Sequence, residues 1–391
     1  MTNEVKNVPE LRFPNFEGEW EEKKLGDLVS IISGYSPSYY SIGGEYPLYK
    51  VNDLNNNNKY QIYSELYVSK KGEPTSNKTI IFPKRGAAIL LNKIRIMITP
   101  GYIDTNLMGL QFEDINNTEF YYYTILKEGL FKIADTSTIP QINNKHILNY
   151  KINLPDNSER NKLGDFFNKL DQQIELEEQK LEKLEEQKKG YMQQIFSQKL
   201  RFKDESGKIY PDWEKRKLNE IADFQNGKAH ESYVSETGNY ILVNSKFIST
   251  EAQVKKYVSQ QLTPLNKQDI AIVMSDIPNG KALAKCFLVE ENNKYSLNQR
   301  IGRLYNILGD SRFVYAILNR NKQLLKYDSG VGQTNLKKSE ITEIMINWPV
   351  QDEQQKIGNL FRRFDDFIEG QSQKIELLKD RKKGFLQKMF V

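Results

Sequence analysis

Apolar residues recur at alternating steps of three and four along two long stretches of this chain. The first series is Leu163, Phe167, Leu170, Ile174, Leu181, Leu184, Tyr191 and Ile195, and the second is Ile357, Phe361, Phe364, Ile368, Ile375, Leu378, Phe385 and Met389. Glu177 and Lys188 fill the gaps of the first series, and Gln371 and Lys382 fill those of the second. This spacing predicts two heptad helices of roughly 40 residues, each about 60 Å long.

The two helical stretches are copies of one another. Residues 159–196 align with residues 353–390 without a gap, at a constant offset of 194, so that KKGYMQQIF matches KKGFLQKMF. A second echo relates residues 11–34 to residues 200–227, where LRF and a following tryptophan, Trp20 or Trp213, recur. The chain therefore alternates variable and constant segments in the order variable, constant, variable, constant.

Matching apolar stripes on both helices predict that the helices pack against each other. If they are antiparallel with a pseudo-twofold near residue 182, Glu177 faces Lys382 and Lys188 faces Gln371. Among registers one heptad apart, only this one pairs polar with polar residues, and buried polar pairs specify the register of coiled coils. We therefore expect this register.

The variable segments have mixed secondary structure. Residues 78–91 and 267–276 are rich in apolar and β-branched residues near turn signals and predict strands. Residues 118–134 and 310–327 predict helices that close each segment. The expected fold class is α+β, with two mixed α/β domains separated by two long antiparallel coiled-coil helices in a pseudo-twofold repeat. The expected boundaries are 1–156 and 200–350 for the domains, and 157–199 and 351–391 for the helices.

Composition limits the class of protein without naming it. The chain has 391 residues, a formal net charge of +5 and one cysteine, Cys286. No apolar run approaches the roughly 18 residues of a membrane span, and the N-terminal stretch is polar, so we expect neither a signal peptide nor a membrane segment. A single cysteine fits a reducing cytoplasm. The mild positive charge is compatible with an anionic partner.

A search for catalytic chemistry is negative. The sequence contains no adenine-methylation motif of the Asn-Pro-Pro-Tyr type, no glycine-rich cofactor loop and no Walker sequence. A nuclease pattern can be forced onto Pro155, Asp156, Glu178 and Lys180, but Glu178 and Lys180 belong to the charged face of the predicted helix. His146 and His230 have no evident partner. We expect no metal site and no catalytic residue in this chain.

The arrangement of segments resembles a known family. Trp-x4-Leu opens each half, a proline followed by Glu-x2-Lys opens each helix, and the stretches GVGQTNLKKSEITEIMINWPVQDEQQKIGNLF (330–361) and LRFPNFEGEWEEKKLGDLVSIISG (11–34) match best. Together these are similar to the specificity subunit of type I restriction-modification enzymes over essentially the whole chain. The second half departs from the family at FQNGKAH, where the first half keeps Ser33 and Gly34.

The resemblance implies a non-catalytic reader of double-stranded DNA. Each variable domain would be a target recognition domain for one half of an asymmetric bipartite sequence, while the helices set the spacer and dock two copies of a DNA adenine methyltransferase subunit. An ATP-dependent restriction and translocation subunit would join them. S-adenosylmethionine, ATP and Mg²⁺ would then be bound by these partners and not by this chain. The displaced LRF phrase predicts that the N-terminus packs near the end of the second helix.

The repeated phrases are the expected docking elements, because two copies of one partner require two copies of one surface. The docking candidates are Lys188, Lys189, Gly190, Tyr191 and Phe196 in the first helix, and Lys382, Lys383, Gly384, Phe385 and Phe390 in the second.

The DNA-binding candidates are the Lys, Arg, Asn, Gln and Ser residues of loops that occupy similar places in both halves. Lys and Arg suit phosphates, whereas Asn, Gln and Arg can read base edges. In the first domain they are Lys84, Arg85, Lys93, Arg95, Asn106, Gln141, Asn143, Asn144 and Lys145; in the second they are Ser275, Asn279, Lys281, Asn298, Gln299, Arg300, Gln333, Asn335 and Lys337. The Tyr-rich stretches 39–49 and 120–126 could stack on flipped bases, but we expect them to be buried core.

Other interpretations remain open on sequence alone. The chain could be a coiled-coil adaptor whose domains bind protein, a self-sufficient Mg²⁺-dependent nuclease, or a silent copy of a specificity gene. The half-sites, the spacer length and the presence of a restriction subunit are not contained in the sequence.

Overall fold

The structure is a computed structural model that describes residues 7–55, 58–137, 139–277, 280–328 and 330–391. The chain divides into two compact units, the first formed by Met1–Gln179 with Gln373–Val391 and the second by Lys180–Ser372. Each unit therefore contains one variable region together with part of each long helix. The predicted division had assigned the helices to segments of their own.

The described residues of the first unit form ten strands and part of each long helix. The strands are β1 (Glu21–Lys24), β2 (Val29–Ser33), β3 (Ile42–Tyr49), β4 (Tyr60–Gln61), β5 (Tyr67–Val68), β6 (Ile80–Pro83), β7 (Arg95–Met97), β8 (Tyr102–Ile103), β9 (Leu107–Phe112) and β10 (Lys151–Leu154). The helices are α1 (Thr118–Glu128), α2 (Asn144–Leu148) and α3 (Asn157–Phe196), of which α3 continues into the second unit. Short 3-10 turns occupy Leu25–Asp27, Pro37–Tyr39, Val51–Asn55, Ala87–Leu91, Ile115–Asn117 and Leu130–Ile133.

These strands form a five-stranded sheet in the order β2-β9-β6-β7-β4, a three-stranded sheet β5-β3-β8 and a pair β1-β10. Helix α1 packs on the large sheet, where Phe112 and Tyr121 stack with ring centroids 3.8 Å apart. The predicted helix over 118–134 ends early because Gly129, at φ 75°, terminates α1 before a 3-10 turn. The predicted strand over 78–91 is likewise shorter, since Gly86 at φ 86° begins a 3-10 turn.

The second unit repeats this plan. Its strands are β11 (Glu214–Lys217), β12 (Asp223–Asn226), β13 (Tyr240–Val243), β14 (Tyr257–Val258), β15 (Pro264–Leu265), β16 (Ile270–Val273), β17 (Ser275–Asp276), β18 (Cys286–Leu288), β19 (Tyr295–Leu297), β20 (Ile301–Tyr305), β21 (Thr334–Asn335) and β22 (Met345–Trp348). Its helices are α4 (Ser245–Ser249), α5 (Ser311–Leu318), α6 (Lys322–Leu325), α7 (Lys338–Thr342) and α8 (Gln351–Lys388), with 3-10 turns at Leu218–Glu220 and Glu231–Tyr233.

The second-unit strands form the sheets β12-β20-β16-β18 and β14-β13-β19-β15 and the pairs β11-β22 and β17-β21. The strand predicted over 267–276 is observed as β16 and β17. The helix predicted over 310–327 is two helices, α5 and α6, and Asn321 caps the second of them by accepting from the Gln323 N–H at 2.8 Å.

The long helices run antiparallel within each unit, as predicted. In the first unit, Phe166 of α3 meets Phe385 of α8 with ring centroids 5.3 Å apart, and Glu177 further along α3 pairs with Lys374, earlier on α8. In the second unit, Lys188 pairs with Asp365 while Phe196 stacks on Phe361 at 5.7 Å. The two mixed α/β regions and the antiparallel helices confirm the predicted fold class.

The predicted helix register is wrong. Lys382 pairs with Asp171 instead of Glu177, six residues away, and Glu177 pairs with Lys374 instead of Lys382, eight residues away. Lys188 pairs with Asp365, six residues from the predicted Gln371. The error is close to one heptad and has a physical cause. In the observed register an aspartate beside the apolar stripe neutralises each lysine in the stripe, whereas the predicted register would have left Lys188 opposite the neutral Gln371. The pairs Asp171–Lys382 and Lys188–Asp365 are equivalent under the 194-residue offset.

Each LRF phrase is joined to the start of a long helix by a buried ion pair. Arg12 donates from Nε and Nη2 to the Glu159 carboxylate, both at 2.7 Å, and Glu159 is 1% exposed. Arg201 donates in the same way to Glu353 at 2.8 and 2.9 Å. The prediction for the N-terminus is confirmed, because the Leu11 N–H donates to the Lys388 carbonyl at 2.8 Å, near the end of α8.

We predict that Glu159→Ala lowers the free energy of unfolding of the first unit by about 3–5 kcal/mol, because Arg12 would lose its carboxylate partner in a buried site. Glu178→Ala, which removes a half-exposed pair with Lys379 at 2.8 Å from the same helix, should cost only about 0–1 kcal/mol. Urea titration of the full chain measures both values. Equal losses in the two variants would contradict the structural role of the buried pair.

Candidate nucleic-acid interface

In the first domain, backbone hydrogen bonds gather four of the predicted DNA-binding residues where the central strand β6 ends. The Lys84 N–H donates to the Asn106 carbonyl at 2.9 Å, and the Lys84 carbonyl accepts from the Ile142 N–H at 2.9 Å. Arg85 forms an antiparallel bridge with Gln141. We call Lys84, Arg85, Asn106 and Gln141 the first end cluster.

The second domain repeats this arrangement at the end of β16. The Met274 N–H donates to the Arg300 carbonyl at 3.0 Å, and the Met274 carbonyl accepts from the Leu336 N–H at 2.7 Å. Ser275 pairs with Asn335 in the β17-β21 ladder. The second end cluster consists of Ser275, Arg300, Gln333 and Asn335.

The same backbone frame thus carries different side chains in the two domains. Arg85 corresponds to Ser275, and Gln141 to Asn335. Asn106 corresponds to Arg300, which adopts a left-handed conformation at φ 67°. A short helix follows each cluster, α2 in the first domain and α7 in the second.

Most of the candidate side chains are accessible. Exposed candidates are Arg85, Asn106, Gln141, Asn143, Asn144, Lys145, Lys281, Gln299, Arg300, Gln333, Asn335 and Lys337, and half-buried ones are Lys84, Lys93 and Asn298. Some are engaged within the chain: the Asn143 side chain caps α2, Lys93 donates to Asn55 at 2.5 Å, and Gln299 donates to Glu231 at 2.8 Å. Asn279 lies outside the described residues.

Two candidates are not surface contacts. Arg95 is 7% exposed and donates at 2.8 Å to the carbonyls of Ile94 and Leu54, and burial lowers the pKa of its guanidinium. Its assignment to DNA binding was wrong, because the guanidinium N–H groups that would bind a phosphate donate to carbonyls in the core instead. Ser275 is also 7% exposed, and its hydroxyl accepts from the Gln333 amide at 2.6 Å. Ser275 therefore positions Gln333.

The docking phrases are only partly available to a partner. Phe390 is 4% exposed and lies against Trp20 and Phe120, with ring centroids at 6.1 and 5.6 Å. Phe196 and Phe385 pack within their own units, and Lys188 and Lys382 form the ion pairs described above. Phe390 is therefore corrected from a partner contact to an internal residue, whereas the docking role of the half-buried Phe196, Phe385, Lys188 and Lys382 stays a prediction. The accessible remainder is Lys189, Gly190, Tyr191, Lys383 and Gly384.

Two residues of the possible nuclease pattern, Asp156 and Glu178, make contacts that stabilise the long helices. Asp156 accepts from the Glu159 N–H at 2.8 Å, and Glu178 pairs with Lys379. His230 is fully buried, with hydrogen bonds of 2.7 Å to the Ser296 hydroxyl and the Lys228 carbonyl. Across the described ranges, no three His, Cys, Asp or Glu side chains form a group that could hold a metal ion. None of the helices described is long and apolar enough to cross a membrane.

Comparison with known proteins agrees with this geometry. The family model for the type I restriction modification DNA specificity domain matches residues 17–186 and again residues 210–380. The chain belongs to the family of type I restriction-modification specificity subunits. It is 25% identical to the type I restriction enzyme MjaVIII specificity subunit of Methanocaldococcus jannaschii, over 97% of this chain and 93% of that protein. It is 24% identical to a putative MjaX specificity subunit of the same organism over 48% of each chain.

Solved structures share the fold. The S subunit of a type I system from M. genitalium has a TM-score of 0.64 at 17% identity and covers 98% of this chain and 99% of that one. A chain from a study of complex assembly and conformational transition in the type I R-M system has a TM-score of 0.57 at 12% identity, covering 96% and 98%. The two matches of the family model and the full-length relative make the protein a specificity subunit with two target recognition domains. Such subunits recognise DNA without catalysing a reaction, as expected from the sequence.

Two arginines of the specificity subunit's first domain should respond differently to truncation. Arg95→Ala would leave two buried carbonyls without their donors and should reduce the free energy of unfolding by about 3 kcal/mol. Arg85→Ala removes an exposed side chain and should change it by less than about 0.5 kcal/mol. Urea unfolding of both variants measures the difference, and a comparable loss in Arg85→Ala would show that this side chain belongs to the core.

Proposed function

We propose that each target recognition domain reads one half of an asymmetric bipartite duplex DNA sequence through its end cluster. The observation that supports this most directly is that the same backbone frame carries different accessible side chains in the two domains. These are Arg85, Asn106 and Gln141 in the first domain, and Arg300, Asn335 and the Gln333 positioned by Ser275 in the second. An equivalent frame presents both domains to DNA in the same way, and unequal side chains make the two half-sites different.

The side chains suit base reading. Arg pairs bidentately with guanine, and Asn and Gln pair with adenine in the major groove, so the clusters favour half-sites that contain both purines. Lys84, Lys145 and Lys337, each in or next to a cluster, are suited to phosphates that any sequence supplies. The positioning of Gln333 by the buried Ser275 hydroxyl reduces the side-chain entropy lost on binding.

The long helices are the proposed spacer and docking elements. Helix α3 has 40 residues and α8 has 38, so each is about 60 Å long. Removing one heptad from each would shorten the pair by about 10 Å, or roughly three base pairs. Each helix presents an accessible glycine, Gly190 or Gly384, beside a lysine, and these repeated surfaces are proposed to receive two DNA adenine methyltransferase subunits.

In this proposal the specificity subunit works in the cytoplasm beside an ATP-dependent restriction and translocation subunit. S-adenosylmethionine, ATP and Mg²⁺ are bound by the partner subunits, and this chain recognises the target sequence on the DNA.

Deletion of this gene should abolish adenine methylation at one split, asymmetric motif in the host genome. Single-molecule sequencing of the deletion strain and its parent measures this, and the motif gives both half-sites and the spacer. Complementation with Arg300→Ala should relax or abolish recognition in one half-site only, because each cluster contacts one half. If every methylated motif of the parent strain remained methylated in the deletion strain, DNA recognition by an active complex would be contradicted.

Gly190→Gln and Gly384→Gln should weaken co-elution with the methyltransferase subunit without reducing the free energy of unfolding. An added Cβ meets no atom within 4 Å at either glycine, so the fold has room for the longer side chain, and Gln is the better helix former by roughly 0.5 kcal/mol. Gly370→Gln is the matched control, since Gly370 lies on α8 with equally open surroundings but outside the repeated phrase. Co-elution that falls equally in the control would contradict docking at the phrases.

A further inference from the structure

The backbone frame of the first end cluster includes one more exposed position. Gly34 follows β2, and a Cβ built there would lie 2.0 Å from the Asp104 carbonyl oxygen, so only glycine permits this approach. The next residue, Tyr35, donates from its N–H to the Ile103 carbonyl at 3.2 Å. Asp104 in turn accepts from the Asn106 N–H at 2.9 Å. The Tyr35 backbone is therefore bonded to the turn that carries Asn106.

The second domain has the same construction with a different side chain. A Cβ at Gly227 would lie 2.0 Å from the Asn298 carbonyl oxygen. The following residue, Lys228, donates from its N–H to the Leu297 carbonyl at 3.3 Å and bridges to Asn298. Asn298 accepts at its carbonyl from the Ile301 N–H at 3.3 Å, which closes the turn that presents Arg300. Lys228 thus corresponds to Tyr35.

Tyr35 belongs to an exposed aromatic stack. Its ring lies 4.7 Å from that of Tyr39 at an interplanar angle of 21°, and the two side chains are 55% and 43% exposed. The Lys71 ammonium lies 3.7 Å from the Tyr39 ring centroid and donates to the Tyr39 carbonyl at 2.6 Å. Because the cation lies over the Tyr39 ring, Tyr35 supplies the more exposed apolar surface of this stack.

The stack is anchored to the core. Tyr39 packs edge-on against Tyr40, with centroids 5.1 Å apart, and Tyr40 is 8% exposed and lies 4.7 Å from Tyr102. Burial raises the pKa of Tyr40 to about 12, so this anchor stays neutral at physiological pH. The Lys71 N–H donates to the Tyr102 hydroxyl at 2.9 Å, which fixes the cation. The platform is therefore preorganised for a ligand.

Lys228 offers the opposite chemistry at its equivalent position. Its side chain is exposed, and no ion pair of its ammonium is found in the described part of the chain. Its bridge to Asn298 places the Lys228 backbone at the turn that presents Arg300. A lysine in this setting suits a phosphate of the duplex backbone.

We propose that this position is a DNA contact in both target recognition domains: Tyr35, stacked on Tyr39, packs on the deoxyribose face of one half-site, and Lys228 contacts a phosphate of the other. The inference rests on the proposed DNA-reading function and adds residues to the same site. It predicts unequal salt dependence at equivalent positions, because phosphate contacts release counterions and stacking does not.

The test uses the full chain co-purified with its methyltransferase partner and a duplex carrying the motif whose methylation depends on this gene. Lys228→Gln should reduce the slope of log affinity against log salt concentration by about 0.9, the value for one phosphate contact. Tyr35→Ala should weaken binding about tenfold at every salt concentration with the slope unchanged, since a nonionic contact is lost. Tyr35→Phe retains the ring and should bind as the wild type does.

Matched controls separate this site from general surface effects. Lys267 is exposed beyond the opposite end of β16, and Ile115, 48% exposed, lies beyond the far end of β9. Lys267→Gln and Ile115→Ala should keep wild-type slope and affinity. Wild-type binding by Tyr35→Ala, or an unchanged slope in Lys228→Gln, would overturn this inference alone. Equal affinity of the wild-type complex for the motif and for a scrambled duplex would overturn the proposed function instead.

Discussion

A buried carboxylate at the start of each long helix is the constraint on which the rest of the fold depends. Glu159 and Glu353 are 1% and 0% exposed, and a charge at such a site is stable only with a cationic partner. The partners, Arg12 and Arg201, lie 147 and 152 residues away in sequence. Each pair therefore brings the beginning of a variable region to its end, where β1 pairs with β10 and β11 with β22. In each domain the first and last strands are therefore held together at the start of a long helix.

The helices illustrate what periodicity can and cannot predict. The apolar stripe was sufficient to place both helices and to predict that they pack together, because burial of a stripe does not depend on details of charge. It was insufficient for the register, since registers one heptad apart bury nearly the same apolar surface. The choice falls to Asp171 and Asp365, which lie beside the stripe and neutralise Lys382 and Lys188. Both the predicted pairs and the observed pairs are equivalent under the repeat offset, so the internal repeat alone could not decide between the two registers.

The end clusters show a similar division. Loop positions rich in Arg, Asn and Gln predicted DNA contacts at Arg85, Gln141, Arg300 and Asn335, and these contacts stay a prediction. The structure shows that the residues of each domain lie together in an equivalent hydrogen-bond frame. Arg95 was misjudged because a charged residue in an NKIRI stretch gives no sign that its guanidinium caps core carbonyls. Tyr35 and Lys228 were missed because a tyrosine and a lysine share no chemistry. Their equivalence is visible only in the structure, where the preceding residues, Gly34 and Gly227, approach equivalent backbone carbonyls.

This separation of frame and side chain has a physical consequence for specificity. The frame is built from main-chain hydrogen bonds, which are the same whatever residue occupies an exposed position, and its tight points are glycines that approach carbonyl oxygens. Exposed substitutions at such positions change stability by less than about 0.5 kcal/mol, whereas one base-reading side chain is worth about 1–3 kcal/mol of discrimination. A specificity subunit of this kind can therefore acquire a new half-site at little cost to its fold. By contrast, substitution of Gly34 or Gly227 should destabilise the domain. A Cβ at either position would collide with a carbonyl oxygen and displace the residue that follows, Tyr35 or Lys228.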